Sequence, residues 1–370
     1  MIQRLRGSVA ILLNAIVLVC VAVEALAQPA HKTQNVIFVM TDGLRWQEVF
    51  RGADPELMNE ASGVSNVPEL KRHYWRATAQ ERRAALMPFL WRTVAPGGQV
   101  FGNGDLGSQA YVTNGLNFSY PGYNETLCGF PDPRIRSNDN IPNANVTVLE
   151  WLHRKAAYHG QVAAFGAWEV IASIVNGERG GFVSNAGYAP FTTPPMTPAL
   201  EVLNRVKAET RVWEDEPFDS FAFHTALEYV KLHRPRVLYL SLGETDDWAH
   251  AGKYDLYLES AHRVDEYLKE LWETVQSMEQ YRGKTTLIVS TDHGRGLAPE
   301  AWKSHGEKIP ESKYIWIGFL GPDTRALGER SNTQAVTQSQ IAATLAGFLG
   351  EDYRAEVPNA GRPIHDVLPK

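Results

Sequence analysis

Three apolar runs in this chain stop abruptly at acidic or imidazole side chains, and that pattern restricts the fold more than any other feature. Asn35 to Met40 (NVIFVM) gives way to Thr41-Asp42-Gly43. Arg236 to Leu242 (RVLYLSL) leads into Glu244, Asp246, Asp247 and His250. Thr286 to Ser290 (TLIVS) leads into Thr291-Asp292-His293-Gly294, and a short loop with Trp302 and Lys303 then reaches His305-Gly306. Near-continuous apolar runs of this length suit strands buried on both faces of a parallel sheet. In such sheets ligands bind outside the carboxyl ends of the strands. All three polar tips are therefore expected on one edge of one sheet.

Helical patterns separate these runs. The clearest has Ala261, Val264, Leu268, Leu271, Val275 and Met278 stepping by three and four, one stripe to face a sheet, with His262, Glu266 and Glu270 on a solvated side. Further helices are expected near Ala84 to Arg92, over 146–158, over Phe218 to Leu232, and as an amphipathic element over Ala335 to Leu349. Gln161 to Phe165 and Tyr314 to Leu320 read as strands. Strands alternating with helices predict an α/β fold, a three-layer αβα sandwich with a mostly parallel central sheet. Segments 45–118 and 166–213, mixed and rich in Gly or Pro, read as insertions that border the site. The loop Gly97 to Gly107 lacks the GxGxxG spacing and the following Lys-Ser/Thr of a phosphate cradle.

The N-terminus reads as a signal peptide: Arg4 and Arg6, an apolar stretch from Val9 to Val23, then Ala25-Leu26-Ala27 before the cleavage point. The apolar run is short for a membrane span. Cleavage after Ala27 leaves 28–370 as one catalytic domain and implies a periplasmic or secreted protein. It also shifts the formal charge from -6 to -7, because the lost segment holds two Arg and one Glu. That balance argues against a nucleic-acid partner. Cys20 leaves with the signal, so Cys128 is unpaired and reads as a small core residue. The sequons at Asn117, Asn124 and Asn145 matter only in a glycosylating host.

Carboxylates and imidazoles converging at strand tips suit borderline metals such as zinc. Asp246 and His250, four apart, share one side of a helical turn and can share one ion. Asn117 to Glu125 (NFSYPGYNE) can begin a helix at Ser119, placing that hydroxyl either at a positive helix end or simply as a cap.

With these motifs in this order, the chain resembles the alkaline phosphatase superfamily, and within it the nucleotide pyrophosphatase/phosphodiesterase and related bacterial metallo-phosphohydrolase branch. The resemblance implies two divalent ions, zinc or manganese, with Asp42, Ser119, Asp292 and His293 on one and Asp246, His250 and His305 on the other. It also implies that Ser119 is the nucleophile and passes through a phosphoseryl intermediate. Sulfatases share the scaffold, but their C/S-x-P-x-R motif is broken here by Tyr123. A phosphoryl or phospho-alcohol transferase and a metal-binding non-enzyme are the other readings. Asn138 and Asn140 lie where relatives place a phosphoryl-binding Asn. Arg295 and Lys303 are candidates for the third charged oxygen of a monoester, which gives monoesters a slight edge over diesters if either reaches the phosphoryl group.

Overall fold

The computed structural model describes residues 31–369; the expected signal segment and its expected cleavage point lie outside the described residues. The first strands are β1 (Asn35–Thr41), β2 (Gln99–Phe101), β3 (Ala110–Tyr111), β4 (Val162–Gly166) and β5 (Val183–Ala186). Then come β6 (Val237–Leu242), β7 (Thr285–Thr291), β8 (Tyr314–Ile315), β9 (Ile317–Leu320), β10 (Gly328–Glu329) and β11 (Val336–Thr337). Eight of them form one sheet in the order β10-β2-β9-β7-β1-β6-β4-β5, and β11-β3-β8 form a small second sheet. In the large sheet β9 alone runs against its neighbours, so the sheet is mostly parallel.

The central strand shows why its sequence is apolar at every position. Val36, Phe38 and Met40 enter one core, and Ile37 and Val39 enter the other. Successive side chains of a strand point to opposite faces, so both faces of β1 need apolar residues. The helix Tyr254–Ser277 covers one face through Ala261, Val264, Leu268, Leu271 and Val275, joined by Asp219–His233. Helices Ser119–Cys128, Val148–Arg154 and Ile341–Phe348 cover the other. Truncating one such buried leucine to alanine costs about 2–5 kcal/mol.

Register brings the three tips level. Thr41 lies opposite Leu242 on one side and Thr291 on the other. The next residues continue the pairing, with Asp42 N donating to Leu242 O at 2.8 Å and Asp292 N to Thr41 O at 3.2 Å.

Segments 45–118 and 166–213, read as insertions, each give a strand, β2 and β5, to the large sheet. Other sequence readings are corrected. The run Tyr314 to Leu320 breaks at Trp316 into β8 and β9, which belong to different sheets. The helix expected over Ala335 to Leu349 shrinks to Ile341–Phe348, preceded by β11, and is buried nearly all round rather than amphipathic. The helix expected near Ala84 to Arg92 divides into Ala79–Leu86 and a wide turn at Leu90–Val94. His262 is not merely solvated: its Nδ1 bonds Leu86 O at 2.7 Å and ties two helices together.

Candidate metal centre

The segments after β1, β6 and β7 bring six of the expected ligands into two groups. Asp42, Asp292 and His293 form a buried one, and Asp246, His250 and His305 form a more open one. In each, the ligand atoms lie within 4.8 Å of one another. His293 Nε2 stands 3.3 Å from Asp42 Oδ1 and 3.5 Å from Asp292 Oδ2. His250 Nε2 stands 3.0 Å from Asp246 Oδ2 and 2.9 Å from His305 Nε2. The groups adjoin, since His293 Nε2 is 3.9 Å from Asp246 Oδ1 and the rings of His293 and His305 stack with centroids 4.0 Å apart.

Local sequence explains the placement. A helix, Glu244–His250, does follow β6, so Asp246 and His250 fall on one side of it. Gly43 has φ +59°, and a Cβ there would meet Asp246 Oδ1 at 2.5 Å and Arg295 Nη1 at 2.7 Å, so only glycine fits. Ser119 is the first residue of the helix Ser119–Cys128, and Phe118 holds the cap position without a side-chain bond. Ser119 therefore does not serve as the cap. Its Oγ lies 3.4 Å from His293 Nε2, against the buried group. Gly122, one turn on, lets this helix press on Asp292, whose carbonyl oxygen would be 2.5 Å from any Cβ.

Partners outside the groups fix the orientation of the ligands. His293 Nδ1 bonds Gly294 O at 2.9 Å and His305 Nδ1 bonds Asn117 O at 3.2 Å, which turns both Nε2 atoms inward. Tyr123 donates to Asp42 Oδ2 at 3.0 Å and accepts from Ser241 Oγ at 2.9 Å. Gln338 Nε2 donates to Asp292 O at 2.7 Å.

Electrostatics favour bound cations here. Burial, then Asp246, pushes Asp42 up to about 7. Burial and Asp42 hold Asp292 well above the carboxylate range. Burial also works against Asp246, but the Arg295 guanidinium and then His305 hold it well below that range. Burial lowers His293 to about 4, and burial with His293 lowers His305 to about 3, so both imidazoles are neutral. Asp42 Oδ1 and Asp292 Oδ2 are buried with no hydrogen-bond partner. Neutral imidazoles, carboxylates and orphaned buried oxygens are what divalent ions require, so these residues fit a metal pair.

The expected substrate contacts fare differently. Arg295 is 1% exposed and engaged throughout: Nη1 pairs with Asp246, Nε donates to Trp302 O at 2.9 Å, and Nη2 to Lys303 O at 2.6 Å. Lys303 points away, its Nζ 2.8 Å from Glu300 Oε2. Asn140 is tied to Ser173 Oγ at 2.6 Å and Glu169 Oε1 at 3.4 Å. Asn138 Oδ1 accepts from Tyr120 N, the residue after Ser119, at 3.0 Å. Sequence reasoning missed Tyr123, Asn117 and Gln338, which act on ligands from distant positions. Only Asn117 carried a signal, an Asn able to adopt the left-handed φ of +53° it takes here.

The type I phosphodiesterase/nucleotide pyrophosphatase family matches residues 130–313, which include Asp246, His250, Asp292, His293 and His305. No curated protein matches the chain. Among solved structures, the alkaline phosphatase PafA is similar at TM-score 0.59 and 11% identity, over 92% of this chain and 100% of that one. A Vibrio parahaemolyticus protein of the alkaline phosphatase superfamily is similar at 0.53 and 15%, over 92% of this chain and 72% of that one. The lipoteichoic acid synthase LtaP of Listeria monocytogenes is similar at 0.55 and 13%, over 88% and 74% respectively. At these identities the likeness is one of fold. The family match and that shared fold together place the chain in the alkaline phosphatase superfamily.

Proposed function

We propose that the protein is a metal-dependent phosphoric ester hydrolase that works through Ser119, exported by an N-terminal signal removed after Ala27. The observation that carries this reading is Ser119 Oγ lying 3.4 Å from His293 Nε2, on the group that contains two orphaned carboxylate oxygens. Asp42, Asp292, His293 and Ser119 would hold one divalent ion, and Asp246, His250 and His305 the other. The mixed oxygen and nitrogen donors favour zinc, with manganese as a substitute. Such a pair, when bound, supplies charge stabilisation at the attacking and leaving oxygens of an in-line displacement.

The chain's own residues do the rest. Ser119 releases its hydroxyl proton to solvent, and Oγ bonds phosphorus as the bond to the alcohol oxygen breaks. The alcohol leaves with a proton from solvent. Water then cleaves the Oγ–P bond and restores Ser119. The positive end of the Ser119–Cys128 helix favours the developing charge. Asn138 is the side chain placed to contact a phosphoryl oxygen.

Arg295 and Lys303 are engaged with Asp246 and Glu300, so neither is free for a third charged oxygen. That removes the basis for favouring monoesters and supports a diester, with an organic substituent at that position. Tyr123, standing where a sulfatase needs Arg, is occupied in holding Asp42. No helix among the described residues is long and apolar enough to cross a membrane. Turnover of paired aryl monoester, diester and sulfate substrates by the zinc-loaded protein, with and without chelator, tests the reading. Chelator-sensitive diester cleavage is expected; sulfate cleavage above both phosphate esters would contradict it.

A further inference from the structure

The loop between β3 and the helix Ser119–Cys128 carries a hydrogen-bond path that ends on a ligand of the open group. It starts at Glu125, on that helix and fully buried. The Glu125 carboxylate accepts from Thr113 N at 2.9 Å, Thr113 Oγ1 at 2.7 Å, Asn114 N at 2.9 Å and Asn114 Nδ2 at 3.0 Å. Four donors offset the cost of burying it. Asn114 Oδ1 in turn accepts from Leu116 N at 2.8 Å and Asn117 N at 3.0 Å. An Asn side chain that caps the backbone two and three residues on folds the chain into a tight turn. The turn leaves Asn117 at φ +53°, with its carbonyl oxygen 3.2 Å from His305 Nδ1. The Asn117 side chain has no share in this contact, since its Oδ1 is buried with no hydrogen-bond partner.

His305 needs such a hold more than the other two imidazoles. His250 belongs to a helix and His293 follows directly on β7, whereas His305 lies in an irregular segment between exposed Ser304 and Glu307. A neutral imidazole has one N–H, and a carbonyl oxygen can only accept. Asn117 O therefore fixes the proton on Nδ1 and leaves the Nε2 lone pair for the open group, 2.9 Å from His250 Nε2.

We infer that Glu125 and Asn114 are positioning residues for the ion of the open group: through the Asn117 backbone they fix the tautomer and direction of His305. The same helix carries Ser119, so one buried carboxylate ties the nucleophile's helix to the far ligand. The inference rests on the two-metal reading for the ion itself. Nitrogen NMR of the metal-free protein with isotope-labelled histidine reads the tautomer, with the His305 signal assigned by its loss in His305→Ala. Zinc titration against a competing chelator reads the two affinities.

Wild type should show His305 protonated on Nδ1. Asn114→Ala and Glu125→Gln should give a mixture of tautomers and weaken the ion of the open group about ten-fold or more, leaving the other as tight as in wild type. Asn114 is half-buried, so Asn114→Ala serves where Glu125→Gln fails to fold. Asn117→Gly, which reaches a left-handed φ freely, should keep both wild-type readings, and Asn117→Ala should lose them. An unchanged His305 tautomer in Asn114→Ala overturns the inference, as does equal weakening of both ions or weakening of neither. A single ion in wild type would remove the two-metal reading, and the metal-free tautomer would then decide the role of Asn114 alone.

Discussion

Replacing Arg295 by methionine separates a residue that holds the centre together from one that contacts substrate. The guanidinium is buried against Asp246 and donates to the carbonyl oxygens of Trp302 and Lys303 at 2.9 and 2.6 Å. Methionine fills much of the space but leaves one carboxylate and two carbonyl groups without their donor. Breaking a buried ion pair from one side costs about 3–5 kcal/mol. The Asp246 side chain is 17% exposed and regains some water, so the lower end, about 3 kcal/mol, is expected in chelator. Zinc on Asp246 would compensate the freed carboxylate and shrink the loss to the carbonyl share, about 1–2 kcal/mol. Urea unfolding of Arg295→Met and wild type, in chelator and in zinc, measures both values. A loss below about 1 kcal/mol in chelator, or one that zinc leaves unchanged, would refute a structural hold on Asp246.

Elemental analysis of His305→Ala should show loss mainly of the ion held by Asp246 and His250, and Asp292→Ala loss mainly of the other. Equal loss of both ions in each variant would contradict two separable sites. Metal uptake should release protons near neutral pH. Burial pushes Asp42 up to about 7 and, with Asp42, holds Asp292 well above the carboxylate range, so both must shed protons to bind, whereas His293 and His305, lowered to about 4 and 3, are already neutral. Affinity should therefore rise with pH through about 7, with roughly one to two protons released per chain, read by calorimetry in buffers of different ionisation enthalpy. No release at pH 6.5 would contradict these shifts. Sequencing the exported protein should find Gln28 at the N-terminus and a free Cys128 thiol; Met1 retained in membrane fractions would argue for an anchor.

The large sheet and the ligand groups were legible because their signals are local. The apolar run of β1 needs both faces covered, and a turn after β6 puts Asp246 and His250 on one side whatever surrounds them. Gly122 beside Asp292 and Gly43 beside Asp246 acquire their meaning only once the strands are assembled. The roles of Arg295 and Lys303 were not legible, because the partner of Arg295 lies 49 residues away while that of Lys303 is a loop neighbour. β2 and β5 were hidden for a similar reason: three and four residues among turns carry no periodicity, and pairing alone makes them strands.

The central claim is that Ser119 takes the phosphoryl group during turnover, and the most direct test is to trap it there. The zinc-loaded protein, mixed with an aryl phosphodiester and quenched in acid within a single turnover, should yield a Ser119 peptide heavier by the phosphoryl group and its remaining ester substituent. The Ser119→Ala variant should keep the fold and the metals, lose turnover, and yield no such peptide. An unmodified Ser119 peptide throughout the burst, together with substantial activity in Ser119→Ala, would show that water attacks phosphorus directly.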